Sequence, residues 1–495
     1  MVSASVRYCT LVCAPRGRRS VAPLAVSRPE RRGRRVAVAQ EVLEDLVRPW
    51  NVQVNSTTAL AAAVADAAAK DDKERREEDR EPLRRKAGLR ALPSAEVGQS
   101  FTLTPWEILH ALGRAQVLSR QGAGRGLAEH WGCLKYCQAL EGSTGRYMAL
   151  SEEGLNPRRH YKTVQSGELG IGFALTVAER VLKQRYPDHV VSVVDADIAL
   201  QAGWALVGKE VKRRDWVSLR PDFLLEAWKP GQPSKVIPLA CKGTHSKPSY
   251  VHTQLASASA RVEALHIGPW DQTPTLVTST ELLGQGGISV HVLHAPGDGS
   301  LTVQPDAPGA DLPVEDLNIY PDVCIPGDGD EDDERVSGFQ VLPDRYAWFR
   351  SVLVRAGAAG LMGFTGGGEP TARYLTKRQG RRHFEGFTHA GTGIVQDVEQ
   401  EIGGINFVGT DHVFRLNGTR VEAFSGLAEN LFDLLRDGRV EEYRREAHAM
   451  RPRWRSLRGQ HDWDGPVSVR EDGSVMAMQL LPEPPRRRRR RLSSV

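Results

Sequence analysis

The sequence predicts an α/β protein, and three observations carry that reading. An amphipathic helical run covers residues 167–185; a Val-rich run at 190–194 is followed by two apolar runs hinged on the turn KPGQPS; and a second helical run over 252–265 returns to strand-like segments. Apolar residues three and four apart mark the helices, and β-branched runs bounded by turn residues mark the strands. The predicted order is helix, three strands, helix, strand.

Each element has its own signal. Thr104-Pro105 opens a capped amphipathic helix with Trp106, Leu109, Leu112 and Val117 on its apolar side, Pro at the first helical position needing no N–H partner. Leu219–Trp228 and Val236–Lys242 read as a hairpin across KPGQPS. The second helix is followed by strands near Thr275–Thr280 and Ile288–His294. Further on come a helix over Arg345–Val354, short strands around Ile405–Leu416 and a helix over Ala423–Arg436.

These signals divide the chain of 495 residues, long enough for several cores. Residues 1–100 form a basic leader, a helical stretch at Ala59–Ala69 and the charge run Asp71–Lys86, whose mixed signs without an apolar stripe predict an exposed helix or a disordered connector. Residues 101–296 hold the core with its leading helices, 297–340 an acidic Pro/Gly-rich linker or loop, 341–480 a separate mixed α+β region, and 481–495 an Arg-rich tail.

Composition narrows the class. A hydrophobic fraction of 40% and a charged fraction of 26% suit a soluble globular chain, and no run of eighteen apolar residues predicts a membrane span. Residues 1–22 lack a continuous apolar segment with a cleavage site, so the expected location is cytoplasmic. Net charge is +5, with the arginine surplus at the two ends, where it suits polyanions or a solvated tail equally.

Several motifs fall away on context. Six cysteines are too few for a disulfide scaffold. Cys9/Cys13 and Cys133/Cys137, with His130 just ahead, lack a second ligand pair, so zinc is not predicted. Asp328–Glu334 has no closing bidentate Glu for a calcium loop. GFTGGGEP lacks the Gly-Lys-Ser/Thr ending of a phosphate loop, and the GAGRG at 122–126 follows no predicted strand.

Three polar signals remain, at Ser166-Gly167-Glu168, Arg220-Pro221-Asp222 and Ala240-Cys241-Lys242-Gly243. Asp222 opens one strand and Lys242 closes its antiparallel partner, so the hairpin sets them side by side. Singly each has a structural reading: turn chemistry for Asp222, a first-turn helix acid for Glu168, a strand-end surface charge for Lys242. Together, in that element order, they make a site. Asp222, Glu168 and the Cys241 carbonyl supply hard oxygen ligands for Mg²⁺ or Mn²⁺, and Lys242 orients or deprotonates a water or stabilises phosphorane charge.

With Gln254 in the following helix, these residues resemble the PD-(D/E)XK superfamily of restriction-endonuclease-like nucleases, over roughly residues 160–295. The resemblance implies an αβββαβ core, dependence on Mg²⁺ (or Mn²⁺), and catalytic roles for Glu168, Asp222, Lys242 and Gln254. It also implies DNA as substrate, RNA standing second, with restriction, phage defence or repair as settings. The departure is Ala240, where members carry an acid two positions before the lysine; Glu226, Glu263 or Glu168 itself are the candidates to replace it. His245, Lys247, Tyr250, His252 and Arg261 are second-rank nucleic-acid contacts. The alternative is an inactive nuclease-fold protein that binds nucleic acid or assembles with partners; a homodimer is compatible with either, and no membrane partner is expected.

Overall fold

The structure, a computed structural model, describes residues 38–118, 129–143, 146–201, 219–246, 248–268, 272–284, 286–303, 324–325, 336–376, 381, 384, 398–457 and 463–482. The Arg-rich leader and tail, Cys9 and Cys13, the GAGRG segment, the acidic run Asp328–Glu334 and Lys247 lie outside the described residues.

The chain forms a mixed α/β fold. Helix α1 (Ala39–Val47) precedes strand β1 (Trp50–Asn55), helix α2 (Thr58–Glu77), strand β2 (Ser100–Leu103) and helix α3 (Pro105–Gln116). The centre then runs α4 (Arg159–Arg185), β3 (Val190–Asp195), β4 (Phe223–Trp228), β5 (Ser234–Thr244), α5 (Pro248–Glu263), β6 (Thr275–Glu281) and β7 (Ser289–Ala295). This is the helix, three strands, helix, strand order read from the sequence. The strands lie in the order β2-β1-β7-β6-β5-β4-β3, with Ser300–Leu301 added beside β5. β3, β4 and β5 are an antiparallel meander, whereas β6 returns parallel to β5 after α5.

Strand alternation assigns the two faces of this sheet. Ala240 of β5, Val277 of β6 and Leu293 of β7 pack with Val251, Leu255, Ala258 and Val262 of α5 and with Leu60 and Val64 of α2. The opposite face meets α4 at very close range: a Cβ on Gly243 would stand 1.9 Å from the Ser166 carbonyl oxygen, and one on Gly170 2.9 Å from the Gly243 Cα. The sheet is therefore covered by α4 on one side and by α2 and α5 on the other.

Helix α3 begins as its sequence requires, Thr104 accepting from the Glu107 N–H at 3.1 Å and Glu107 accepting from the Thr104 N–H at 3.0 Å. Its buried Trp106 donates to the Met476 carbonyl at 2.8 Å, which ties the core to the C-terminal region. That region contains α6 (Tyr346–Phe364) and a second sheet of β8 (Val398–Ile402), β9 (Ile405–Leu416), β10 (Thr419–Ala428), β11 (Val467–Val469) and β12 (Ser474–Leu480). Residues 38–495 cluster as one compact unit, so this mixed α+β region is not set apart from the core.

Two local expectations are corrected. The helix read over Ala423–Arg436 is a helix only from Glu429; residues 419–428 are strand β10, because pairing to β9 on one side and β12 on the other outweighs local propensity. The charge run Asp71–Lys86 is not a solvated connector throughout. It is helical to Glu77, then doubles back so that Arg85 pairs with Asp71 and Asp72 and donates to the Ala256 carbonyl, while Arg84 lies 3.1 Å from Glu263. No helix among the described residues is long and apolar enough to cross a membrane.

Candidate active site

The Asp222 N–H donates to the Leu239 carbonyl at 2.9 Å, and Phe223 is the cross-strand partner of Leu239. Asp222 thus sits just before β4 and is tied to β5 by that bond and by the Cys241 N–H, which donates to its Oδ2 at 2.8 Å. Lys242, the next residue of β5, lies within reach of the Asp222 charge but does not line the cavity described below. Glu168 comes from α4, and Glu168 and Asp222 line one cavity of about 630 Å³.

Three further carboxylates line that cavity, Glu129, Asp195 and Asp197, together with Trp131, Lys135, Arg220 and Arg261. Asp195 ends β3 opposite Phe223, and the Ala196 N–H donates to the Asp222 carbonyl at 3.2 Å, so this strand end lies beside Asp222. Asp195 and Asp197, like Glu129, are cavity acids that sequence reasoning missed. The available signal was an Asp-Ala-Asp closing a Val-rich strand at the same sheet edge as Pro221-Asp222.

The two acids nominated to replace the one missing at Ala240 are committed elsewhere. Glu226 is fully buried and held by Arg444 at 2.9 Å and by the Ser234 hydroxyl at 2.6 Å. Glu263 is buried among Arg84, Lys86 and His266. Neither lines the cavity. Ala240 itself sits in the apolar layer under α5.

Glu168, Asp197 and Asp222 are each already matched by a cation of the chain. Lys135 lies 2.6 Å from Glu168, which also accepts from the Tyr136 hydroxyl at 2.6 Å. Arg220 pairs with Asp197, and Arg261 with Asp222 at 2.8 Å. Burial pushes the Asp222 carboxyl above its ordinary range, against the pull of Arg261, the Cys241 N–H and Lys242. Burial likewise draws the Lys242 ammonium down, helped by Arg261 and opposed by Asp222. Asp195 is pushed up to about 7, first by burial and then by repulsion from Asp197.

The remaining predicted residues have defined places. Cys241 is buried, does not line the cavity, and serves Asp222 through its N–H, donating to Oδ2 at 2.8 Å. Gln254 donates to the Gly243 carbonyl at 3.1 Å and accepts from the Ser279 hydroxyl at 2.7 Å, so it braces the strand end that carries Lys242. His245 follows that strand, with its imidazole drawn down by burial and by Lys162. Tyr250 is exposed on α5 and His252 lies two residues on. Arg261 reaches the cavity rather than open solvent.

Five carboxylates around one cavity, Glu129, Glu168, Asp195, Asp197 and Asp222, are the donor chemistry that a hard divalent cation takes. As the side chains stand, no three or more His, Cys, Asp or Glu residues among those described are grouped as a metal ion needs, and Glu168 and Asp222 are each paired with a cation of the chain. Comparison with known proteins finds no family model, no curated protein and no solved structure that matches the chain.

Proposed function

We propose that this core is a metal-dependent nuclease of the restriction-endonuclease-like kind, hydrolysing phosphodiester bonds of DNA, with RNA the second substrate. The observation that carries the reading is the single cavity lined by Glu168, Asp195, Asp197 and Asp222; Lys242 does not line it, but stands near enough to Asp222 for each to feel the other's charge. Asp195 takes the part of the acid missing at Ala240.

Asp222, Glu168 and Asp195 are the residues that would hold Mg²⁺ or Mn²⁺, which polarises a phosphoryl oxygen and lowers the pKa of a bound water. The chain's own groups do the rest. The Cys241 N–H fixes one Asp222 oxygen, and Tyr136 with Lys135 fixes Glu168. Lys242, its ammonium made more acidic by burial, orients the attacking water and accepts or shares its proton. Arg261 presents a planar fork that fits a phosphate as well as it fits Asp222, so it can exchange one for the other when substrate enters.

The experiment is incubation with linear, circular and single-stranded DNA in Mg²⁺, in Mn²⁺ and in EDTA. Wild type cuts only with metal; Asp222→Asn abolishes cutting, and Lys242→Ala slows it by about 10²–10³, the scale of one lost stabilising group. Ala240 in the apolar core favours a second reading, a nuclease fold that binds without cutting. That reading takes first place if wild type and both variants bind DNA alike and none cuts it.

A further inference from the structure

Helix α4 starts eight residues earlier than its apolar pattern requires, and those extra turns carry Arg159, His160, Tyr161 and Lys162 directly after Arg158. Arg158, Arg159, His160 and Tyr161 are exposed, Tyr161 at 54%. Arg158 is the N-cap of the helix and Arg159 and Lys162, three apart, lie in its first turn, where like charges repel. Among the described residues no carboxylate pairs with Arg158, Arg159 or Lys162, which sets them apart from the cations of the cavity, each matched to an acid. A cluster of cations left uncompensated on a surface is a place for a polyanion.

The cluster is continuous with the candidate site. Tyr161, Val164 and Glu168 are spaced three and four residues apart, so they share one face of α4, and at 1.5 Å per residue Tyr161 stands about 10 Å along the helix from Glu168. Val164 between them is exposed at 44%, so the stripe from Tyr161 to Glu168 is open. Lys162 acts on His245, three residues beyond Lys242, and the Nε2 of that buried ring edge has no hydrogen-bond partner. The His160 ring lies 4.1 Å from that of Tyr161, so the two form an exposed pair, and cations flanking exposed aromatic rings are how proteins hold a single strand, the charges on phosphates and a ring on an unpaired base. The cavity supports one strand rather than two: its volume of about 630 Å³ is that of a small-ligand pocket, and Trp131 gives it an aromatic wall.

We propose that Arg158, Arg159 and Lys162, with Tyr161 between them, form a track for a single nucleic-acid strand that leads to Glu168, an inference that rests on the nuclease reading. The cations bind successive phosphates, and the Tyr161 ring stacks on a base.

Binding is measured in EDTA by anisotropy of a labelled single-stranded oligonucleotide and of its duplex, over a salt series, while cutting is scored separately in Mg²⁺. The triple variant Arg158→Gln/Arg159→Gln/Lys162→Gln lowers the salt slope for the single strand by about 2, at about 0.7 per phosphate contact. Tyr161→Ala weakens single-strand binding about 5- to 150-fold, and Tyr161→Phe restores it. All positions substituted are on the surface, and circular dichroism melts check that each variant is folded. Unchanged affinity and slope in the triple variant overturn the track, while metal-dependent cutting by wild type leaves the nuclease reading standing. Equal losses on duplex, no effect of Tyr161→Ala, or displacement by poly-glutamate as effective as by oligonucleotide overturn the single-strand assignment. Tight, track-dependent binding with no cutting in any metal supports the track and removes the nuclease.

Discussion

Arg261 grips Asp222 with one nitrogen, Nη1 lying 2.8 Å from Oδ1 and 2.9 Å from Oδ2, while the Cys241 N–H takes Oδ2 from the other side at 2.8 Å. The same aspartate is the acid that opens β4 at the cavity wall. On the proposed function the guanidinium stands where a divalent cation would be held, and the two would compete for one carboxylate.

Arg261→Met tests that competition without reference to activity. Arg261 is the largest influence holding the Asp222 carboxyl down against burial, so its loss raises that carboxyl further. A native group with a raised carboxyl pKa binds its proton more tightly than the unfolded chain does, and stability then falls as pH rises through the carboxylate range. The variant is less stable than wild type by about 1–3 kcal/mol at neutral pH, the worth of hydrogen bonds to a charged group, and the deficit shrinks on acidification. Mg²⁺ or Mn²⁺ in millimolar excess raises the melting temperature of the variant more than that of wild type. Equal metal responses in both would remove Asp222 from the ligand set.

Asp195 gives a second pH signature. Its carboxyl is pushed up to about 7, so between the ordinary aspartate value of about 4 and that point the native state holds a proton that the unfolded chain has released. Stability contributed by this group is present below about 4 and is lost as pH rises towards 7. Asp195→Asn removes the titration: it flattens stability against pH across that window and makes the protein more stable at neutral pH. Urea denaturation at four pH values across the window measures it, and parallel curves for variant and wild type would refute the shift.

Legibility differed by the range of the physics involved. The central elements could be read because helix periodicity and Val-rich runs are local, and the pairing that ties Asp222 to β5 follows from a short hairpin. The fate of Glu226 could not be read, because its partner Arg444 is 218 residues away, and Arg84 is 179 residues from Glu263. Without those partners both glutamates looked free to serve the site. Asp195 carries no local signal that sets it apart, since an Asp after a Val run is also ordinary strand-end chemistry; only the pairing of β3 with β4 brings it to Asp222. The strand at 419–428 was misread for the same reason, since its neighbours β9 and β12 lie on both sides of it in the fold and β12 is remote in sequence.

The Glu226–Arg444 pair is therefore expected to act in stability rather than in chemistry. Both side chains are almost completely buried, at 1% and 8% exposure, and the guanidinium also lies over the Trp228 ring at 4.3 Å. Arg444→Met leaves a buried carboxylate without its partner and costs about 3–5 kcal/mol, as does Glu226→Met by stranding the guanidinium. The double variant costs much less than the sum of the two, because neither charge is then stranded. A urea-denaturation double-mutant cycle reads this, and additive losses would show that the pair is not coupled. Metal-dependent cutting by folded Glu226→Gln is predicted to persist, since Glu226 does not line the cavity.

The last prediction concerns the contact that brings Glu168 and Lys242 to the same end of the sheet. Gly243 and Gly170 let α4 lie directly on the backbone of β5, so close that a methyl group on Gly243 would overlap the Ser166 carbonyl at 1.9 Å. The obstacle is main chain on both sides and cannot swing away, so Gly243→Ala must lift α4 from the strand. Overpacking of this kind costs about 1–3 kcal/mol or more. Gly167 offers the matched control on the same helix: a Cβ there meets nothing within 4 Å, and alanine suits a helix interior better than glycine by about 0.8–1.0 kcal/mol. Gly167→Ala is therefore predicted to raise the melting temperature while Gly243→Ala lowers it. If α4 and β5 tolerate Gly243→Ala without loss, their close approach is not what sets the spacing between Glu168 and Lys242. A retained fold with cutting lost in Gly243→Ala, against normal cutting in Gly167→Ala, would tie that spacing to the chemistry.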